Sequence, residues 1–367
     1  MMMRLPVVPL YARSLGISTV QIGIINSAFF MVAGILSFPL GILSDRLGRK
    51  MLAGAGLIIL SSSAFLLCFS KTFVQLTTVY LFFGIGTAAF GPTMMSFAAD
   101  ISPPTHLGRS YGWYTTAVFC GLSLGPAAGG FIAQKTGFTQ VFLIAGIFIF
   151  LNFWLLMLFL PRSHVYESGK QKWTTVAREF LRNRTLLSCW LVTLGGCIGL
   201  GMFITFIPLH ARNHNLSVGQ IGLVFSAQGL CNAVFRIPFG HLSDRIGQRK
   251  IPVIVGIAGF AASMAGFALS ETLTHFVIFA ATLGISMGLA FTSVGALIAE
   301  SVPPASRGLA MGGYNTCIYF GMMLSSGLMG TVIQMTGFKN AFFIIALINC
   351  FTAILFYFLT RQSGPDI

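Results

Sequence analysis

Charge is what this chain lacks. Of its 367 residues only 8% are Asp, Glu, Lys or Arg, and the acids number eight in all. A soluble domain carries roughly 25% charged residues. With 55% apolar residues and a mean hydropathy of +0.85, the chain is therefore read as living in lipid. Strand-like alternation of apolar and polar residues is missing, which speaks against an outer-membrane barrel. The seven cysteines (Cys68, Cys120, Cys189, Cys197, Cys231, Cys317 and Cys350) all fall in apolar runs without a C-x-x-C pair, so neither a disulfide framework nor a metal site follows. No nucleophile–base pair, metal-ligand set or phosphate loop appears, which speaks against an enzyme and against a cofactor. A signal peptide is missing too, since no charged region leads into a short apolar core at the N-terminus.

What is there is a succession of apolar runs, each near the 20 or so residues that span a hydrocarbon core of about 30 Å. They cover about 19–44, 51–70, 73–99, 108–134, 138–160, 185–211, 218–243, 251–270, 273–300, 308–334 and 338–361, after a stub at 1–12 too short to cross. The formal charge of +14 is distributed as topology rather than as a nucleic-acid surface. The loops after 44, 99 and 160, their later counterparts and Arg361 hold 15 of the 22 Lys and Arg, whereas the other side holds Arg13, Lys71, Lys135, Arg212 and Lys339. The positive-inside rule places the basic side and the C-terminus in the cytoplasm of an inner-membrane, multi-pass protein.

The chain is also written twice. PLYARSLGISTVQIG at 9–23 aligns with PLHARNHNLSVGQIG at 208–222, and PLGILSDRLG at 39–48 with PFGHLSDRIG at 238–247, both at an offset of 199. After Gln248 the offset becomes 200, and DISPP at 100–104 meets ESVPP at 300–304. Same-order halves imply two six-helix bundles related by a pseudo-twofold along the membrane normal, with substrate bound between them near the midplane. The expected division is 1–160, a linker at 161–184, and 185–367. In the linker Trp173, Val176, Ala177, Phe180 and Leu181 share one helical face, the pattern of an amphipathic helix lying on the cytoplasmic membrane surface. Subtracting 199 from the seventh span places the first at about −14 to 12. Helix 1 is thus expected to be incomplete, about 11.5 helices in all, through a late-assigned start or a true truncation.

Two loops and one helix carry the motifs. GILSDRLGRK at 41–50 is a tight turn in which Gly41 and Gly48 allow close approach and an unusual backbone. Asp45 can accept hydrogen bonds or pair with a base, and Arg49 can reach a carboxylate, in loop order Asp100. The second copy offers Gly240, Asp244, Gly247, Arg249 and Glu300. This doubled loop in a twelve-helix pattern resembles the major facilitator superfamily over the whole chain, and the resemblance implies a gating role for Asp45, Arg49, Asp244 and Arg249 beside a purely folding one.

The fifth helix, GWYTTAVFCGLSLGPAAGG at 112–130, fits G-x8-G-x3-G-P-x2-G-G through Gly112, Gly121, Gly125, Pro126, Gly129 and Gly130. Gly121, Gly125 and Gly129 make two GxxxG steps on one face, and Pro126 can bend the helix. The repeat partner has Ser325 and Ser326 in place of Gly125 and Pro126. That asymmetry resembles the drug:proton antiporters of the superfamily and implies an efflux antiporter. Two features depart from them. The arginine four residues before the glycine-rich run of helix 4 is replaced by Tyr80, and none of the eight acids stands mid-membrane. Proton exchange therefore enters only through the resemblance: the coupling acid is absent from this sequence, replaced or not used.

Arg236 lies about seven residues from its helix end, roughly 10 Å deep. Snorkelling or local pairing is the preferred account, with anion binding as the alternative. His210 and His214 are expected at the surface or interface. Candidate cavity groups are polar or aromatic residues in mid-helix, Asn26, Tyr80, Thr87, Tyr114, Thr205, Gln228, Asn232, Thr292, Asn315 and Tyr319, together with Arg236; the family resemblance implies that helices 1, 4, 7 and 10 line the cavity most directly. Each can instead bond across a helix interface. The leading expectation is a monomeric inner-membrane transporter in contact with lipid, using alternating access to export small lipophilic molecules or drugs in exchange for protons. The alternatives are a transporter of a sugar, organic acid or siderophore, and an inactive or sensor-like truncated carrier.

Overall fold

The computed structural model describes residues 2–100, 102, 107–161, 180, 183–303 and 306–361, without the side chains of residues 45, 99, 107–112 and 308. A 3-10 turn, Met2–Arg4, precedes α1 (Val7–Ser14), α2 (Thr19–Leu47), α3 (Arg49–Leu67), α4 (Phe73–Asp100), α5 (Leu107–Thr136) and α6 (Phe138–Phe159). The second series is α7 (Arg184–Asn213), α8 (Val218–Ile246), α9 (Lys250–Ala268), α10 (Leu273–Ser301) and a run Arg307–Arg361. Gly337, at φ 81°, breaks that run into α11 (307–336) and α12 (338–361). Gly137, at φ 97°, makes the same turn between α5 and α6. Both sit in a TGF triplet where a side chain would disfavour the left-handed backbone.

Ten helices among the described residues are long and apolar enough to cross a membrane, and the last, Leu309–Arg361, is long enough to cross twice. The chain is thus an all-α, multi-pass membrane protein, and its spans begin and end within a few residues of the apolar runs. The turns are fixed by local chemistry. Ser18 Oγ accepts from the Gln21 amide at 3.3 Å while the Ser18 amide donates to Gln21 Oε1 at 3.1 Å. Ser217 and Gln220 repeat this capping box at 3.2 and 2.8 Å, 199 residues later.

By mutual contacts the chain divides into two units, Met1–Gly169 with Ser217–Ser226, and Lys170–Leu216 with Ala227–Ile367. Each is packed through small residues, as expected where lipid offers no hydrophobic drive between helices. In the first unit a side chain on Gly84 of α4 would stand 2.9 Å from the Phe29 carbonyl of α2, and one on Gly56 of α3 would stand 3.0 Å from the Gly86 carbonyl. In the second, Gly284 of α10 meets the Gln228 carbonyl of α8, and Gly256 of α9 meets the Ala290 amide at 2.8 Å. Lys50 donates to the Leu160 carbonyl at 2.5 Å and Lys250 to the Thr360 carbonyl at 2.7 Å, each placing a cation at a helix C-terminus. The amphipathic face expected at 161–184 lies outside the described residues except for Phe180, which is buried edge-on to Trp190 with ring centroids 6.0 Å apart.

Candidate functional site

The two motif turns bring their charged residues together. Arg49, first residue of α3, places Nε 2.7 Å from Asp100 at the end of α4. Arg249, just before α9, reaches both Asp244 (2.9 Å) and Glu300 (2.7 Å). Burial opposes the charge on Arg249, but hydrogen bonds to Glu300 and Asp244 outweigh it and raise its pKa above the ordinary arginine value. The first pair is the more enclosed, with side chains 11% and 19% exposed against 62% for Asp244 and 49% for Glu300. Gly48 (φ 89°) and Gly247 (φ 70°) take the unusual backbone. Gly41 does not make the expected close approach: a side chain there would meet open space among the described residues, because the turn tightens at Gly48 instead. At Gly240 an added Cβ would make only ordinary contact, 3.6 Å from Thr292. The Asp45 side chain is outside the described residues.

The glycines of α5 receive backbone. A side chain on Gly125 would lie 2.8 Å from Met2 Cβ and 3.2 Å from the Met3 amide, and one on Gly129 would fall on the Met3 carbonyl. At Gly121 the nearest atom is 3.9 Å away. A different face of α5 holds the start of α8: Gly130 would meet the Val218 carbonyl at 2.6 Å, and Gly222 the Pro126 carbonyl at 2.5 Å. The Ala127 amide donates to Ser226 Oγ at 3.2 Å and the Gly219 amide to Gln134 Oε1 at 3.1 Å. Gly112 lies in the first turns of α5.

The cavity candidates fall into small groups. In the first unit Tyr80 is buried, with ring centroids 6.2 Å from Phe29 and 6.1 Å from Phe83, while Phe29 and Phe83 stack at 5.0 Å. Asn26 and Thr87 are buried and bond to carbonyls one turn back, Ile22 and Phe83. Tyr114 donates to the Gly91 carbonyl at 3.5 Å. In the second unit Gln228 and Asn232 both point their amides at Met287 Sδ, at 2.9 and 3.8 Å. Thr205 and Ser326 share a buried hydroxyl–hydroxyl bond of 2.7 Å. Arg236 is half-buried within electrostatic reach of Tyr314, Thr292 Oγ1 is buried without a partner among the described residues, Tyr319 is half-buried and Asn315 is exposed.

Two residues depart from expectation. His210 is buried rather than superficial: Nε2 donates to the Phe267 carbonyl at 3.0 Å, and its ring stacks on Phe338 at 5.3 Å. It occupies the place of Tyr11, whose hydroxyl donates to the Ser70 carbonyl at 2.9 Å. Its partner His214 is half-buried, edge-on at 5.0 Å. Arg4, which motif reasoning passes over, is buried with its guanidinium carbon 3.8 Å from the Phe83 ring centroid. The signal was present in the repeat, since the offset of 199 sets Arg4 opposite Phe203 in the interior of α7.

This arrangement is that of a membrane carrier built from two like units. The sequence profile of the Major Facilitator Superfamily matches residues 1–217 and 189–366, so the chain belongs to that superfamily of transporters. It is 27% identical over 96% of its length to an uncharacterized MFS-type transporter of Methanocaldococcus jannaschii, covering 92% of that protein. The quinolone resistance protein NorA of Staphylococcus aureus is 28% identical over 64% of this chain and 61% of its own length. Among solved structures, a POT family transporter in complex with a thioalcohol-conjugated peptide superposes with a TM-score of 0.84 at 12% identity, over 99% of this chain and 93% of its own. The nucleoside transporter NupG superposes with 0.82 at 18%, over 97% and 95%. These relatives and neighbours are transporters, not enzymes, and the all-helical superfamily fold is the fold of this chain.

Proposed function

We propose that this transporter exports small lipophilic compounds from the cytoplasm across the inner membrane by alternating access, in exchange for protons. The observation that carries the reading is the α5 motif at 112–130, whose Gly125 and Gly129 admit the backbone of residues 2–3 and whose Gly130 admits α8. The likeness to a quinolone resistance protein supports the same reading. The ion pairs Arg49–Asp100 and Asp244–Arg249–Glu300 act as the gates, since each ties the start of one helix to the end of another. The excess of basic residues on the loops between these helices sets the C-terminus in the cytoplasm.

The test is dye accumulation in cells lacking their major pumps. Expression of the chain is expected to lower the steady-state level of a lipophilic dye, and a protonophore is expected to restore it. Equal or greater accumulation than in control cells would reject export, and export that survives the protonophore would reject proton exchange.

A further inference from the structure

Arg4 ends the 3-10 turn Met2–Arg4 and is 4% exposed. Nε, Nη1 and Nη2 are all buried, and none has a hydrogen-bond partner among the described residues. Phe83 lies under the guanidinium carbon at 3.8 Å, Phe29 stacks on Phe83, and the Tyr80 hydroxyl is within electrostatic reach. Asp100, the acid of the same unit whose side chain is described, is held by Arg49. A desolvated cation–π contact contributes about 2 kcal/mol, while an isolated buried ion costs several times more. Five N–H donors in a planar fork match the geometry of an oxyanion.

Position decides what that oxyanion belongs to. Arg4 corresponds to Phe203, ten residues from the Asn213 end of α7, or about 15 Å along a helix axis. Lipid headgroups lie outside the core, so a headgroup phosphate does not reach this depth. A transported molecule does.

We propose that Arg4 is the anion-binding residue of the substrate site, and that the compound carried is an aromatic carboxylate. Its carboxylate pairs with the guanidinium of Arg4, and its ring packs against the cluster of Phe29, Tyr80 and Phe83. The inference rests on the export reading, because Arg4 is enclosed and gains access to a ligand only through the rearrangement that alternating access supplies.

The experiment measures binding rather than transport, so that the two readings fail separately. Fluorescein, an aromatic carboxylate, and ethidium, an aromatic cation, are titrated by anisotropy into the purified full-length protein in detergent. The wild type is expected to bind fluorescein more tightly than ethidium. Arg4→Met keeps a long side chain over Phe83 and is expected to weaken fluorescein about tenfold or more, with ethidium unchanged or tighter and the melting temperature not lowered. Arg4→Lys is expected to fall between them for fluorescein. Wild-type protein that does not bind fluorescein overturns the proposal. So does an Arg4→Met variant that binds it normally, or one that loses both dyes by the same factor. Absent dye export with Arg4-dependent fluorescein binding would instead overturn the export reading alone.

Discussion

The fifth helix and its counterpart in the second half make the same close contact with opposite residues. In the first unit the small residues belong to α5, where Gly125 and Gly129 receive the backbone of Met2 and Met3. In the second unit the small residue belongs to α7. A side chain on Gly201 would stand 2.8 Å from both the Cα and the carbonyl oxygen of Met322, and 3.0 Å from Ser325 Cβ. The repeat sets Met2 opposite Gly201 and Gly125 opposite Ser325, so the glycine has changed sides while the helices remain close. The second contact also gains the Thr205–Ser326 bond where the first has two prolines, Pro6 and Pro126. Close approach is thus demanded by the fold, and the supplier of the small residue is free to differ. What is particular to α5 is that its glycines and proline leave the contact, among the described residues, without a counterpart of the Thr205–Ser326 bond to hold it in one geometry.

Gly129→Ala is the sharpest way to break this comparison. The new methyl group falls on the Met3 carbonyl, which is backbone and has no rotamer to escape into. Overpacking of that kind costs about 3 kcal/mol. Loss of dye export together with a clear fall in melting temperature is therefore expected. The corresponding position in the second half already carries the buried Met329. A Gly129→Ala variant that melts and exports like the wild type would show that the α5 contact is looser than its counterpart.

The two ion-pair turns differ in exposure, and this gives a graded expectation. Arg49→Ala leaves Asp100 in the more enclosed setting and is expected to cost about 1–3 kcal/mol. Arg249→Ala leaves Asp244 and Glu300 half in solvent and is expected to cost about 1 kcal/mol or less. Thermal unfolding of both variants in detergent measures the difference. If Arg249→Ala is the more damaging, the three-member cluster holds its unit more strongly than its exposure implies.

These contrasts show how far the sequence could be read. The spans were legible because 20-residue apolar runs have few other uses, and the pairing of Arg49 with Asp100 was legible because a short loop leaves few partners. The repeat made half of each answer checkable against the other. Arg4 belongs to no motif, and only its repeat counterpart Phe203, which is plainly interior, marks it. Residue type alone sets His210 at the surface, yet it fills the place of Tyr11 and inherits the same task of capping a carbonyl at the end of a helix. Which candidate polar groups converge, as Gln228 and Asn232 do on Met287, depends on helix rotation, and hydropathy does not report that.

The smallest expected effects lie in the second-half contact itself and test whether its hydrogen bond is structural. Thr205→Val removes the partner of Ser326, and interhelical hydrogen bonds in membranes contribute about 0.6 kcal/mol on average, up to about 1.7. Ser325, one residue earlier, is the internal control. Its hydroxyl is buried without a partner among the described residues, so Ser325→Ala removes a desolvated group and is expected to leave stability unchanged or raise it by about 1 kcal/mol. A melting temperature that falls for Thr205→Val and holds or rises for Ser325→Ala assigns the serine pair to one bonded and one idle hydroxyl. Equal losses in both would mean that Ser325 is bonded in the membrane after all. The contact of α7 with α11 would then be held by two hydrogen bonds, and the contrast with the glycine–proline face of α5 would be larger than the geometry shows.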